Sequence, residues 1–322
     1  MNKTVAAVVV TYNRRVLLGE CLAALLAQSR PLAAVYVIDN ASTDGTAEYL
    51  EALGYCRNPL IHYVRLERNR GGAGGFAAGV EIASRAGHGW IWLMDDDAEP
   101  LGDALQKMMP YMKHEGVSAI ANTKLNRQGE PEEGHLGAVA SRFARAEYPR
   151  LYFSSFVGLM VRGSTVARIG LPKSEFFLHG DDNEYCNRLC RAGDICWAKD
   201  SIIVHKYVRE ANVAPVKRRL RFTRQQKNSL PVRVFCTRYY SLRNRLWCAL
   251  HSPNPVAPNG QLGTLLREYG RRLLRVLLID RDHRRLRLRV LGRAFWDGLT
   301  GHFDNEFVAL CQAKVKEVRV EA

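Results

Sequence analysis

The sequence predicts an α/β protein: a Rossmann-like, mostly parallel central sheet flanked by helices over residues 1–210, followed by a basic, mainly helical region over residues 211–322. Three observations carry that expectation. Apolar runs suited to buried strands alternate with patterns of helical period through the first hundred residues. The polar residues of that stretch gather just after the apolar runs, at the carboxyl ends of the expected strands, where open α/β sheets bind ligands. Basic charge gathers late: Lys206 to Arg293 holds 22 Lys and Arg against four acidic residues, in a chain of net charge +15.

Val5–Val10 reads as the first strand. Arg15–Ser29 carries Leu18, Cys21, Leu22, Leu25 and Leu26 on one helical face and stops at Pro31. Val35–Ile38 is the second strand; the next helix starts near Ser42–Thr46, with Thr43 or Asp44 as N-cap. Ile61–Leu66, a helix Gly75–Arg85 and Trp90–Met94 follow, the last ending in Asp95-Asp96-Asp97. These strands are expected to be parallel. Beyond Pro100 the pattern gives a helix Asp103–Lys113, a strand Val117–Ala121, a Gly/Glu-rich loop Gln128–Gly137 and a strand Phe156–Val161. A helix running to Ala192 and two short strands, Ile195–Ala198 and Ile202–Val204, complete this part. Leu246–Leu266 has no charge but three prolines, Pro253, Pro255 and Pro258, and reads as a loop.

The apolar share of 47% and charged share of 25% belong to a folded globular chain, which excludes wholesale disorder and collagen-like structure. Eight cysteines without a C-x-x-C pair or zinc spacing read as free thiols in a reducing compartment. Met1–Thr4 runs straight into the first strand, so no signal peptide is expected, and no segment has the ~18 apolar residues of a membrane span.

Three adjacent aspartates after a buried strand repel one another unless a cation compensates them. A hard divalent ion such as Mg²⁺ or Mn²⁺ would do so and leave positions for phosphate oxygens; the competing role is capping of the helix that follows. His205, at the end of a short strand, is a further metal-ligand candidate. Asp181 and Asp182, with Glu184 close by, open a helix and are candidates for a general base. Gly72–Ala77 matches a G-x-G-x-x-A pattern but follows the third strand rather than the first, where the dinucleotide fingerprint belongs. It is read instead as close backbone approach to a base or ribose, with Asn69 anchoring the turn, or as a tight turn that merely needs glycine.

Together, Val9–Arg14, Ile38–Thr46, Asn69-x-Gly71-Gly72-x-Gly74-Gly75-Phe76 and Trp92–Asp97 resemble family 2 glycosyltransferases of the GT-A fold, most of all bacterial galactofuranosyltransferases and rhamnosyltransferases. The resemblance covers residues 4–210 and extends to Tyr239-Tyr240-x-x-Arg243-Asn244. It implies that Thr11, Arg14 and Asp39 hold the uracil and ribose of a nucleotide-sugar, with Asn69, Gly71 and Gly72 closing on the base and Asp96 near the ribose. Asp95, Asp97 and His205 would bind Mn²⁺ or Mg²⁺. Asp182 would be the base, with Asp181 and Glu184 supporting it or contacting the acceptor as a third carboxylate, and the order of Asp181 and Asp182 left open. The implied reaction is an inverting, metal-dependent transfer of galactofuranose from UDP-galactofuranose, or alternatively of rhamnose from dTDP-rhamnose, to a lipid-linked or cell-surface glycan.

In the basic region, Lys217-Arg218-Arg219-x-Arg221 and Arg271–Arg293, with leucines interleaved, predict amphipathic helices with cationic faces. They fit either a membrane surface or solvated helices packed on the catalytic core. The resemblance favours peripheral attachment to the inner face of the cytoplasmic membrane, where a polyprenyl-diphosphate-linked acceptor is found. The rival class is a nucleic-acid-binding protein, for which the charge is the only support.

Overall fold

All seven residues of β1 (Val5–Thr11) are buried, which requires that the sheet be covered on both faces. The computed structural model describes residues 3–132, 134, 136–138, 148–206, 230–255, 261–280 and 282–320. After β1 come α1 (Arg15–Leu26), β2 (Ala34–Asp39), α2 (Thr46–Ala52), β3 (Ile61–Arg65), α3 (Gly71–Arg85), β4 (Trp90–Asp95) and β5 (Ala98–Pro100). The middle of the chain forms α4 (Ala104–Met108), β6 (Val117–Leu125), β7 (Leu136–Ala138), β8 (Arg150–Ser154), β9 (Leu159–Arg162), α5 (Gly163–Ile169), α6 (Asp181–Ala192) and β10 (Asp194–His205). Four helices follow: α7 (Val232–His251), α8 (Gln261–Leu278), α9 (Arg284–Thr300) and α10 (Phe307–Val320).

The cover on the two faces comes from different helices. Ala7 and Val9 face a core shared with Leu18, Leu22 and Leu25 of α1, whereas Ala6, Val8 and Val10 face Phe76 and Val80 of α3. In α3 the small residues permit close approach: a Cβ on Gly75 would stand 2.5 Å from Val10, and one on Gly79 would stand 2.3 Å from Val8.

Among the described residues the sheet runs β3-β2-β1-β4-β9-β6-β10-β8-β7, with β5 paired to β10. The expected parallel arrangement holds for β3, β2, β1 and β4. Beyond it β9 inserts antiparallel between β4 and β6, so the whole sheet is mixed. Because β1 lies between β2 and β4, the connections leave it in opposite directions and open a crevice at its carboxyl end. Register brings the polar residues level there: Thr11 stands beside Asp39, and Val10 beside Asp95.

Several boundaries differ from expectation. The two short strands ending at Val204 are one strand, β10, whose register shifts between Ala198 and Ile202, so the polar break at Lys199–Ser201 is an irregularity within a strand. The helix expected over Asp103–Lys113 tightens to 3₁₀ geometry from Met109, where Pro110 cannot donate to the ladder. The glycine run belongs to α3, which starts at Gly71 and not at Gly75. Leu246–His251, expected as part of a loop, completes α7; its face of Tyr239, Leu242, Leu246 and the half-buried Trp247 carries the helix through the charge-free stretch. The expected boundary after residue 210 and the Lys217–Arg221 basic run lie outside the described residues.

Candidate functional site

At the tip of β1, Thr11 is 1% exposed and its hydroxyl donates to Oδ2 of Asp96 at 2.7 Å. Arg14 reaches the same place from the following turn, its Nη1 lying 3.2 Å from Asp96 Oδ1 and 2.8 Å from Asp97 Oδ2. Asp39, also 1% exposed, accepts from the Ser42 amide at 2.8 Å and from the Tyr63 hydroxyl at 2.5 Å. It thereby fixes a turn in which Ala41 has a φ of 61°. The next residue, Asn40, donates to the Gly71 carbonyl and accepts from the Arg70 amide, tying the second strand tip to the start of α3. Asn69 accepts from the Gly71 amide at 2.7 Å, the anchoring role expected of it.

The glycines there divide by role. Gly71 has a φ of +71° and a Cβ would fall 2.0 Å from the Phe177 carbonyl oxygen, so both conformation and contact demand glycine. Gly72 has open space where its Cβ would be.

The three aspartates are electrostatically unlike. Burial first, then Asp97 and Asp96, push the Asp95 carboxyl up to about 7. Burial pushes Asp96 up to about 6 against the Thr11 hydroxyl and Arg14. Burial also works to raise Asp97, but His205 and Arg14 outweigh it and hold that carboxyl below the usual range. His205 is brought in by β10, which pairs antiparallel with β5 so that His205 stands opposite Ala98. Its Nδ1 lies 2.6 Å from Oε2 of Glu132 and its Nε2 lies 3.4 Å from Asp97 Oδ1. Burial opposes protonation of this imidazole, yet the two carboxylates raise its pKa to about 9.

Asp97 Oδ1 is buried and has no hydrogen-bond partner among the described residues. A buried carboxylate oxygen facing an imidazole at 3.4 Å, with the ring's other nitrogen on a second carboxylate, is the donor chemistry that a divalent cation uses, including the outer carboxylate that orients the ring. Among the described residues no three His, Cys, Asp or Glu side chains already converge as a metal cluster. The residues fit a divalent cation by donor type but are not gathered around one point; Asp95, Asp97 and His205 are the set that would have to close on it.

Opposite the strand tips stands the turn that leads into α6. Asp181 is buried, and its carboxyl is pushed well above the usual range by burial, then by Asp182 and Asp95. Asp182 is half-buried; burial raises it, countered by the Asn183 amide and by Lys124. Glu184 is 4% exposed and forms a bidentate ion pair with Arg188, so it stabilises α6 rather than adding a third carboxylate to the crevice.

With this geometry in view, the comparisons with known proteins are direct. The model of glycosyl transferase family 2 matches residues 6–165. Galactofuranosyltransferase GlfT1 of Mycolicibacterium smegmatis is 31% identical over 206 residues, 59% of this chain and 67% of that protein. The chain belongs to glycosyl transferase family 2. GlfT1 of Mycobacterium tuberculosis is 33% identical over 206 residues, and there the match spans 66% of the relative. The transferase also resembles solved structures at 16% identity. These are S. aureus TarS 1–349 in complex with UDP (TM-score 0.59, 97% of this chain and 87% of that one) and GalNAc-T7 with UDP, GalNAc and Mn²⁺ (TM-score 0.54, 84% and 55%). They bear out the GT-A fold. Family membership also decides for an enzyme over a basic nucleic-acid-binding protein.

The sequence reading of this transferase missed Tyr63, Glu132 and Lys124. Glu132 lay in a loop rich in Gly and Glu, where no spacing singled it out. Lys124 ends a buried strand and is 2% exposed, its Nζ donating to Ser154 Oγ at 2.7 Å. A lysine closing an apolar strand was the available signal.

Proposed function

We propose that this transferase moves galactofuranose from UDP-galactofuranose, with inversion, to a lipid-linked or cell-surface glycan. The observation that carries the reading is the Asp95–Asp97 triplet at the β1–β4 crevice together with the turn before Asp181 and Asp182, whose Phe177 carbonyl accepts from the Ala73 amide at the start of α3, in a chain similar to galactofuranosyltransferases. Asn69, Gly71 and Gly72 border the uracil and ribose, with room above Gly72 for a ring. Thr11 and Asp39 act from beneath, keeping Asp96 and the Asn40–Ser42 turn in place. Arg14 offsets the charge of Asp96 and Asp97.

On the acceptor side Asp182 takes the proton of the attacking hydroxyl, whose oxygen forms the new bond to the anomeric carbon. The bond to the diphosphate oxygen breaks, and UDP leaves with the electron pair. A carboxylate with a raised pKa is the stronger base, and burial supplies that rise at Asp182. A divalent cation held by Asp95, Asp97 and His205 would supply positive charge for the departing diphosphate. One displacement inverts the anomeric centre and needs no covalent nucleophile.

The acceptor reading places the enzyme as a peripheral protein on the cytoplasmic face of the membrane. No helix among the described residues is long and apolar enough to cross a membrane. The support is the basic surface of α8 and α9, which also carries exposed Leu274, Leu278 and Trp296. A cleft of about 300 Å³ there is lined by Arg271, Arg272 and Arg275, by Leu230 and Phe235, and by two carboxylates.

A donor screen tests the proposal: UDP-galactofuranose and dTDP-rhamnose, each with Mn²⁺, Mg²⁺ or excess chelator, with product configuration read by NMR. Turnover of UDP-galactofuranose, abolished by chelator and giving the inverted glycoside, is expected. Preference for dTDP-rhamnose overturns the donor, and full activity in chelator overturns the metal.

A further inference from the structure

The chain entering α6 has an unusual conformation. Phe177 has φ 62° and ψ −59°, and the Leu178 amide donates back to the Phe176 carbonyl at 2.7 Å, which together make the rarer, strained form of γ-turn. His179 follows with a φ of 65° and Gly180 with 86°. Two non-glycine residues in the left-handed region within three positions persist only where their surroundings impose them.

The surroundings are supplied from α7. The Asn244 amide nitrogen lies 3.0 Å from the Phe176 carbonyl oxygen, 3.2 Å from that of Leu178 and 2.6 Å from that of His179. Arg243 donates through Nη2 to the Phe176 carbonyl at 3.0 Å and through Nε to Asn244 Oδ1 at 2.8 Å, which sets the amide's orientation. Both residues are wholly buried. An apolar pair would pack a helix at lower desolvation cost, and these polar groups converge on the Leu178 and His179 carbonyls, which face no helix or strand ladder, and on the Phe176 carbonyl already bonded in the γ-turn. From the other side Phe177 accepts from the Ala73 amide at 3.2 Å, linking the turn to the glycine-led start of α3. The next residues along the chain are Asp181 and Asp182.

We propose that Asn244, seated by Arg243, is a positioning residue for transfer: its amide holds the strained turn at Phe176–Gly180 and thereby fixes the Asp181–Asp182 pair against the strand-tip crevice. This rests on the reading of that pair as the base. A base displaced by an ångström costs on the order of 100-fold in rate while leaving nucleotide contacts intact.

The test compares Asn244→Asp, which keeps the volume and loses the donor, with Asn244→Ser, which keeps one donor. With the full chain, UDP-galactofuranose and a soluble glycan acceptor, kcat is expected to fall about 100-fold in the first and about tenfold in the second. KM for the donor and the Kd for UDP stay within about threefold of the parent, because Asn244 donates to the Phe176, Leu178 and His179 carbonyls and not to the Phe177 carbonyl that meets the start of α3. Unchanged kcat, or UDP affinity falling in step with kcat, overturns the proposal. Should the Asn244 variants fail to fold, Asn305→Ala decides. Half-buried Asn305 accepts from Arg243 Nη1 at 3.1 Å and donates to the Glu175 carbonyl at 3.1 Å, so its loss loosens the same clamp. A kcat lowered by about threefold or more at constant UDP affinity supports the clamp, and parental kcat refutes it. Retained transfer in Asp182→Asn and Asp181→Asn would instead sink the base assignment, a separate failure.

Discussion

At the strand tips, chemistry follows directly from short stretches of sequence. Thr11, Asp39 and Asp95 end neighbouring parallel strands and are levelled by register. In α7, Arg243 and Asn244 act on a turn more than 60 residues earlier in the chain, through hydrogen bonds to backbone carbonyls. The first region offers its candidate ligand-binding groups as side chains that motifs reveal; the second holds backbone in place with side chains that look like ordinary helix residues. The difference teaches that the basic helical region is part of the catalytic apparatus on one side and a charged surface on the other.

The largest effect is expected where the two regions meet. Asp182→Asn should lower transfer by about 10³-fold, within the range that general bases contribute, and leave UDP affinity near the parent's. Activity measured beside calorimetric UDP titration checks it, and an equal loss in Asp181→Asn alone would exchange the two roles. At the strand tips, Glu132→Gln should weaken Mn²⁺ activation about 10- to 100-fold, because the carboxylate orienting His205 is removed. Titrating the rate with Mn²⁺ reads this; an unchanged half-saturation point would make the Glu132–His205 pair purely structural.

Most of the catalytic core was legible because its physics is local. A fully buried strand must be apolar, so the polar residues that end it stand out: Asp95–Asp97 after Trp90–Met94, Asn69–Gly72 after Ile61–Leu66. Periodicity located α1 to within a turn, and the acidic run Asp181–Glu184 marked the start of α6. Residues whose meaning depends on contact across the fold were not legible. Glu132 matters through His205, 73 positions away, and Tyr63 through the Asp39 carboxylate. Arg287, counted among the cationic surface residues, is wholly buried, bonded to Asp282 and to the Leu230 carbonyl. Composition records its charge but not that partner. The turn at Phe177 carries no glycine of its own to announce its positive φ.

Lys124 sharpens the comparison at smaller scale, since it is a buried strand residue that acts on Asp182 by charge and not through backbone carbonyls. Burial lowers its pKa from 10.5 to about 7, with Cys186 and Asp182 opposing. A lysine whose pKa is lowered on folding opposes folding as pH falls from the unfolded value of 10.5 toward about 7. Lys124→Met should therefore gain in Tm over the parent as pH drops through that window, the gap levelling off below it. Its kcat should fall about tenfold at neutral pH, with the acid limb moved to higher pH, because Asp182 loses the cation that favours its ionised form. A flat Tm difference across the window would show that Lys124 is not buried in the charged-disfavouring way described.

On the outer side of the helical region the expected effect on chemistry is smallest. Leu262, Leu266, Leu273 and Leu277 of α8 are all more than a third exposed. Their spacing puts them on one stripe, next to the packed stripe of Leu265, Tyr269 and Val276. Arg271 lies on another face of α8, with exposed Leu274 and Leu278 three and seven positions on, and Arg284 and Arg285 at the start of α9 are exposed too. Leucines beside arginines suit an anionic interface, where each basic residue near the surface contributes about 1 kcal/mol. Replacing Arg271, Arg284 and Arg285 together by Gln should weaken co-sedimentation with phosphatidylglycerol vesicles by roughly 100-fold while leaving turnover of a soluble acceptor unchanged. Leu274→Gln with Leu278→Gln should weaken the same association at high salt, where the charge contribution is screened and the apolar one persists. Association unaffected by both sets would leave this surface as solvated packing, and the helical region with its inner role alone.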